Sequence, residues 1–131
     1  MEQSQKNKAF FLEYINALST SPDKSTELLK KYIDDEKLVE HIRFFESAFP
    51  HYELLVDEIT CEDNRVVIYG RFKGKHLGEL NGIAPTYKTV ELPLAVGYII
   101  ENNKIVSHWM VIDQMMLMEQ LGVASANAHA G

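Results

Sequence analysis

Residues 88–113, KTVELPLAVGYIIENNKIVSHWMVID, predict two long β-strands joined by a tight turn. The stretch is rich in β-branched and other apolar residues, which favour strands. Asn102 and Asn103 divide it, and this pair suits a two-residue hairpin because asparagine tolerates a positive φ angle. We expect Pro93 and Gly97 to mark bulges or sharp bends in the first strand.

Two further strands are predicted upstream, over residues 52–60 and 65–73. Asp63 and Asn64 supply the turn between them. On the second of these strands the even positions are apolar and are expected to face helices or a cavity, whereas the odd positions are mixed and suit a subunit interface. Residues 74–87 contain several glycines and a proline and predict a loop.

The first 50 residues predict helices. Apolar side chains recur at helical spacing over residues 5–19. Ser21–Pro22 predicts the start of a second, short helix, because proline is favoured at the first helical position. Asp34 or Asp35 is expected to cap a third helix, which Pro50 ends.

The order of these elements indicates the fold class. Residues 115–121 predict a short final helix, followed by Gly122 where a glycine is favoured. Helices first and strands afterwards indicate an α+β fold with a mostly antiparallel sheet. Helices packed against a long bent sheet leave a cone with an open end. We expect a single domain over residues 1–123 and a flexible tail over residues 124–131.

The composition excludes several classes of protein. The chain has 131 residues, a hydrophobic content of 46% and a formal net charge of −6. An acidic chain repels phosphate backbones, so we expect no nucleic-acid partner. No apolar run is long enough to cross a bilayer and no signal peptide is visible, so we expect a cytoplasmic protein without a membrane partner. The five histidines lack the spacing of a zinc site, and no metal is expected.

Four short motifs occur in order along the last two-thirds of the chain. Residues 74–86, GKHLGELNGIAPT, follow the pattern G-x-H-x-G-x-x-x-G-x-x-P-T. Residues 103–113, NKIVSHWMVID, resemble the pattern G-K-I-x-x-x-W-x-x-x-D. Ala48–Pro50 precedes the first strand, and Gln120–Gly122 ends the last helix. In this order and spacing the motifs resemble those of the SnoaL-like polyketide cyclase family.

The resemblance implies the cone-shaped fold of nuclear transport factor 2, with N-terminal helices packed on a strongly bent sheet. It implies a reaction without a cofactor, in which antibiotic-pathway members close a ring by intramolecular aldol condensation of a polyketide ester. An aspartate takes a proton from the carbon beside a carbonyl, and the motif match places it at Asp113. The resemblance also implies a small apolar or aromatic keto-ester-like ligand and a homodimer or higher homo-oligomer.

Two roles are open for Asp113. Its apolar neighbours would raise its pKa toward the working pH, as acid/base chemistry on a carbon acid requires. It also directly precedes the last predicted helix, where it would be a good N-cap. Strand alternation places Trp109 on the face of Asp113 and His108 on the other. We therefore expect Trp109 to line the pocket or fill the core, and His108 to lie at a surface or interface, although His108 stays among the candidate substrate contacts.

His76 is the second candidate catalytic residue, because loops hold functional side chains disproportionately. It would hydrogen-bond a substrate carbonyl or donate a proton, or else be an exposed loop histidine. Tyr98 supplies the only side-chain hydroxyl of residues 94–100. The candidate substrate contacts are Trp109, Tyr69, Tyr14, Phe72, Tyr98 and His108.

Three functions remain open, and each predicts a different cavity. A cofactor-free cyclase, lyase or isomerase predicts a solvent-connected cavity with Asp113 inside. A non-catalytic ligand-binding protein predicts a closed apolar cavity, with Asp113 turned to the helix cap. A dimeric scaffold predicts no cavity large enough for a ligand.

Overall fold

The computed structural model describes residues 2–21 and 24–123, and the predicted tail, residues 124–131, lies outside them. In this part of the chain three helices precede four strands and one helix follows. The elements are α1 (Glu2–Thr20), α2 (Thr26–Lys30), α3 (Glu36–Ala48), β1 (Glu53–Glu62), β2 (Arg65–Lys75), β3 (Thr89–Glu101), β4 (Lys104–Ile112) and α4 (Gln114–Leu121). Within the described ranges, no helix has the length and apolar character that crossing a membrane requires.

Side-chain caps set where the inner helices begin. Ser25 caps α2 by accepting a hydrogen bond from the Leu28 N–H. The start expected at Ser21–Pro22 is therefore too early, and Pro22 itself lies outside the described residues. Asp35 caps α3 and is one of the two residues predicted for that position.

The four strands form one antiparallel sheet in the order β1-β2-β3-β4. Asn102 and Asn103 both have positive φ angles, 51° and 58°, and make the predicted turn between β3 and β4. Asp63, with φ of 53°, lies in the predicted turn between β1 and β2. A register shift in β1 lies between Val56 and Glu58.

Neither Pro93 nor Gly97 marks a bulge, so that half of the prediction, which allowed bulges or sharp bends, is wrong. The register between β2 and β3 runs through both residues without a shift. Pro93 lies one residue beyond Leu94, the last residue of β3 paired with β4, so its missing N–H costs no bond to β4. Gly97 instead makes room for a neighbour, because a Cβ there would collide with the indole of Trp109.

The sheet has a buried inner face and a more exposed outer face. Even positions of β2 are buried, as predicted, whereas Val67 and Tyr69 are exposed. Helices α1 and α3 cover the inner face. Phe11 of α1 packs on Tyr98, with ring centroids 4.9 Å apart, and the largest fully buried side chains form one core between the helices and the sheet.

The segment before α3 pairs with the free edge of β4. The Ile105 N–H donates to the Tyr32 carbonyl and the Asp34 N–H donates to the Ile105 carbonyl, each at 2.8 Å. These bonds satisfy part of a strand edge that would otherwise be open. They also hold Asp35, the next residue, beside β4 near His108.

Candidate functional site

A narrow apolar cavity lies between the inner face of the sheet and helices α1 and α3. About 540 Å³ is free of atoms when the open mouth is counted, but the centre of a water molecule fits into only about 50 Å³. A dry cavity of about 150 Å³ holds benzene, so a ring-sized ligand requires side chains at the mouth to move. Most lining side chains are apolar, and the polar ones are Tyr14, Tyr52, Tyr98, His41 and His108.

An aspartate and two histidines form a hydrogen-bonded chain at the cavity wall. Asp35 Oδ2 lies 2.6 Å from His108 Nδ1, and His108 Nε2 lies 3.2 Å from His41 Nδ1. A carboxylate only accepts hydrogen bonds, so this network assigns the proton to Nδ1 of His108 and leaves Nε2 of the neutral ring as an acceptor. The side chain of His108 is 7% exposed, whereas His41 is exposed, so the chain runs from the wall to solvent.

The carboxylate of Asp35 is held in its ionised form. Burial acts to raise its pKa, but hydrogen bonds from His108 and from the backbone N–H groups of Leu38 and Lys37 lower the pKa below its ordinary value. The two oxygens have separate partners, because Oδ1 accepts from the backbone and Oδ2 from the imidazole. Asp35 therefore fixes both the tautomer and the orientation of His108.

Strand register and helix spacing bring these residues together. Tyr98 and His108 are direct partners across β3 and β4, so their side chains are neighbours on the inner face. On α3, Leu38, Ile42 and Phe45 line the cavity at helical spacing, and His41 lies beside them. From the sequence, Asp35 was predicted only as a cap and His41 was given no role.

Asp113 lies outside this cavity. It is the N-cap of α4, and its Oδ1 accepts a hydrogen bond from the Met116 N–H at 2.9 Å. It borders a shallow groove on the outer face of the sheet, together with Tyr69 and Val111. The structure therefore brings Asp113 and Tyr69 together, but on the face opposite His108.

The alternation predicted for β4 is confirmed, but the expected choice of inner face is wrong. Trp109 is 51% exposed and packs over Gly97, so it does not line the cavity. His108, expected at a surface or interface, lines the cavity. The reason is the register, because Trp109 is paired with Gly97, which leaves space for an indole only on the outer face.

Of the remaining predicted contacts, Tyr14, Phe72 and Tyr98 line the cavity. Tyr69 does not, since it is 51% exposed on the outer face. The odd positions of β2 were predicted to face away from the helices, and the placement of Tyr69 agrees with that alternation.

His76 is fully buried and does not line the cavity. Its Nδ1 accepts a hydrogen bond from the Thr86 N–H at 3.1 Å, and its ring lies 5.4 Å from that of Phe49. Its Nε2 has no hydrogen-bond partner in the part of the chain that the structure describes. His76 is thus neither an exposed loop residue nor a cavity side chain. Its hydrogen bond to Thr86 connects the two ends of the loop between β2 and β3.

The other sequence motifs form hydrogen bonds that connect one secondary-structure element to another. The Ala48 carbonyl accepts hydrogen bonds from the N–H groups of Leu77 and Gly78, both at 3.1 Å, so the end of α3 is tied to the loop. The Gln120 side chain bonds the N–H and carbonyl of Glu91 at 2.8 and 2.9 Å, which ties α4 to β3. These residues determine where the elements sit.

Across residues 2–21 and 24–123, no group of three or more histidine, cysteine, aspartate or glutamate side chains is arranged to hold a metal ion. The chain of Asp35, His108 and His41 is linear, with each bonding atom directed at its neighbour. Its geometry is that of a hydrogen-bonded proton path.

Comparison with known proteins identifies the family. The model of the SnoaL-like polyketide cyclases matches residues 22–121. AclR of Streptomyces galilaeus, a candidate hydroxylase, is 26% identical, with a TM-score of 0.77 over 91% of this chain and 97% of its own. No curated protein sequence is significantly similar to this chain.

Two further solved structures have the same fold. A candidate SnoaL-like polyketide cyclase from Jannaschia sp. CCS1 has a TM-score of 0.80 at 15% identity, over 92% of this chain and 94% of its own. IdmH of Streptomyces antibioticus, a candidate polyketide cyclase, has a TM-score of 0.72 at 20% identity, over 89% and 99%. The chain has the nuclear transport factor 2-like α+β fold and belongs to the SnoaL-like polyketide cyclase family.

Proposed function

We propose that this chain is a cofactor-independent cyclase in which His108, oriented by Asp35, is the acid/base. The observation that supports the proposal most directly is the 2.6 Å hydrogen bond between Asp35 and His108 at the wall of an apolar cavity. An imidazole ordinarily titrates near neutral pH, which suits a group that must take and return a proton. Asp113 caps a helix on the other face and has no role in this mechanism.

The reaction moves one proton and forms one carbon–carbon bond. Once the hydrogen bond from His41 Nδ1 opens, His108 Nε2 takes a proton from the carbon beside a carbonyl, and the electron pair of the C–H bond forms an enolate. The enolate carbon attacks a second carbonyl of the same molecule and closes the ring. The resulting alkoxide takes the proton back from the imidazolium of His108, while Asp35 stabilises that cation. The substrate is a small apolar or aromatic keto ester.

Exchange of α-protons tests the first step without knowledge of the natural substrate. Aromatic ketones and keto esters whose α-protons exchange slowly by themselves are incubated with the protein in D₂O and followed by NMR. Wild type should accelerate exchange, and His108→Asn or Asp35→Asn should lower the enzymatic rate by about 100-fold or more.

Asp113→Asn is the matched control, because it removes the carboxylate that lies outside the cavity. It should exchange within a few-fold of wild type. Loss of exchange in Asp113→Asn, with exchange retained in His108→Asn, would contradict the proposal and assign the chemistry to the outer groove.

A second candidate is a protein that binds a small apolar ligand without catalysis. The observation that favours it is the small space in the cavity as folded, together with Asp113 turned to its helix cap. Wild type would then bind aromatic ketones with no effect on exchange, and His108→Asn would not change that result.

We also propose a homodimer formed through the outer face of the sheet. An exposed apolar patch occurs there, and such patches often mark contacts between proteins. Its members are Val67 and Tyr69 of β2 with Trp109 and Val111 of β4. Sedimentation equilibrium tests the proposal, since Trp109→Glu should yield a monomer and Leu12→Glu, at an exposed position on α1, should not. An unchanged mass for Trp109→Glu would contradict it.

A further inference from the structure

Three buried tyrosines line the cavity with hydroxyl groups that the protein does not use. We call Tyr14, Tyr52 and Tyr98 the tyrosine cluster. Each side chain is at least nine-tenths buried, and each lines the cavity. None of the three hydroxyls makes a hydrogen bond to another of the residues that the structure describes. Tyr32, by contrast, bonds Glu13 outside the cavity at 3.4 Å.

Buried tyrosine hydroxyls nearly always have a partner, because an unpaired polar group in an apolar site costs free energy. None of these hydroxyl oxygens is sealed away from a small molecule, since His76 Nε2 is the one fully enclosed, unpaired side-chain atom in the described part of the chain. Each of the three hydroxyl oxygens therefore keeps some contact with free space. A ligand or water must supply the missing acceptor.

The three phenols remain hydrogen-bond donors at physiological pH. Burial raises the pKa of Tyr14, and the neighbouring phenols of Tyr98 and Tyr52 raise it further. Burial also raises the pKa of Tyr98, and burial together with Tyr98 and Glu46 raises that of Tyr52. The rings of Tyr14 and Tyr98 are also close in space, with centroids 6.4 Å apart.

The charge of the lining limits the ligand. Among the residues that the structure describes, no lysine or arginine lines the cavity. The ammonium group of the nearby Lys24 does not face a ligand in the cavity, because its Nζ donates hydrogen bonds to Glu46 and to the Tyr52 carbonyl, both at 2.9 Å. A carboxylate or phosphate would be buried there without a counter-charge, at a high cost in free energy. A neutral carbonyl or phenol oxygen has no such cost.

We propose that the tyrosine cluster is a binding subsite for one oxygen atom of a neutral, planar ketone or phenol. The oxygen lies deepest in the cavity and accepts hydrogen bonds from two or three of the hydroxyls. Aromatic rings flank the space, since Tyr52 stacks on Phe72 with centroids 4.8 Å apart, and we expect a flat group to enter when the lining side chains move.

The subsite also orients its ligand for the reaction proposed above. Tyr98 and His108 are direct partners across β3 and β4. A carbonyl oxygen bound in the tyrosine cluster shares the cavity with His108, and we expect its neighbouring carbon to face the His108 ring. When that carbon loses a proton, negative charge develops on the oxygen, and hydrogen bonds to a charged acceptor are the stronger ones. The subsite rests on the proposal that the cavity binds a small apolar ligand.

Equilibrium binding of 4-nitrophenol tests the subsite without turnover, because the absorbance of this planar probe differs between its neutral and ionised forms. Wild type should bind the probe in its neutral form, because the cavity lining supplies no counter-charge for the anion. Tyr98→Phe and Tyr14→Phe should each weaken binding about tenfold or more, and the double variant should weaken it further. Without ligand, both variants should keep or raise the thermal midpoint, because each removes a hydroxyl that lacks a protein partner.

Tyr32→Phe is the control, since it removes a hydroxyl outside the cavity and should bind the probe as wild type does. The subsite proposal is overturned if wild type does not bind the probe, or if folded Tyr14→Phe and Tyr98→Phe bind it as tightly as wild type. Comparing probe binding with α-proton exchange separates the two proposals. If probe binding depends on the tyrosines while wild type does not accelerate α-proton exchange, the subsite stands and the acid/base role of His108 falls.

Discussion

The two faces of the β3–β4 hairpin differ in burial and in what their side chains contact. On the inner face Tyr98 is paired with His108, and both side chains line an apolar cavity. On the outer face the adjacent pair is Gly97 and Trp109, and the indole is half exposed. Residues next to each other in the sequence therefore lie in unlike surroundings, and a motif that spans both does not define one site.

The same contrast holds for two aspartates that both cap helices. Asp35 caps α3 with one oxygen and bonds His108 with the other. Asp113 caps α4 through Oδ1, and no other side-chain bond of Asp113 occurs in the described part of the chain. Position relative to the sheet, more than residue type, separates a carboxylate suited to chemistry from one suited to capping.

The largest expected difference between the faces is in packing. Phe72→Ala on the inner face should lower the free energy of unfolding by about 3–5 kcal/mol, because it leaves a cavity in the core. Tyr69→Ala, also on β2 but exposed, should cost about 1 kcal/mol or less. Thermal unfolding measures both, at about 3–6 °C per kcal/mol for a chain of this size. Equal losses of unfolding free energy in the two variants would contradict the difference in packing between the two faces.

Two glycines give a smaller difference. A Cβ at Gly70 would collide with the Leu55 carbonyl oxygen, which is backbone, so Gly70→Ala should cost about 1–3 kcal/mol. A Cβ at Gly97 would collide with a half-exposed side chain, so Gly97→Ala should cost less and displace Trp109. Fluorescence follows the displacement, because Trp109 is the single tryptophan of the chain. A larger loss for Gly97→Ala would show that the indole is fixed in place.

The two capping aspartates sharpen the comparison further. Asp113→Ala should lower stability by about 1 kcal/mol, the usual value of an N-cap. Asp35→Ala should lower it more, since His108 also loses its partner at the cavity wall. Thermal midpoints of the two variants, measured side by side, check the order. An equal loss would mean that the bond to His108 adds nothing to folding.

The smallest expected effect is a dependence on pH. The pKa of Asp35 is lower in the folded chain than its ordinary value near 3.8, so its stabilisation is present above that value and declines as the pH falls through the folded-state pKa. Urea midpoints at pH 6 and pH 3 should therefore show a gap between wild type and Asp35→Asn that narrows at pH 3. His108→Asn should reduce the same pH dependence. A gap that widens at low pH would contradict the lowered pKa.

Local chemistry made most of the fold predictable from the sequence. The Asn102–Asn103 turn and the alternation along β2 depend on neighbouring residues alone, and both are confirmed. The choice of inner face on β4 depends on the pairing of Trp109 with Gly97, which is a long-range register. A glycine opposite a tryptophan was the available signal for that choice.

The candidate site was less predictable, because its parts are far apart in the sequence. The hydrogen bond between Asp35 and His108 joins residues separated by 73 positions, and no local sequence pattern predicts it. His76 was expected at an exposed or ligand-facing position in its loop, yet its ring is buried against Phe49. Glycine-rich loops carry no periodicity from which burial is inferred.

The shared duties of Asp35 have a consequence for how this lineage changes over time. One carboxylate both begins α3 and orients His108. Selection for a folded chain alone would therefore preserve Asp35, even in a descendant that had lost all activity, whereas His108 would be free to drift. Among relatives, a member that retains the equivalent of Asp35 but lacks the equivalent of His108 would be expected to have lost catalytic activity.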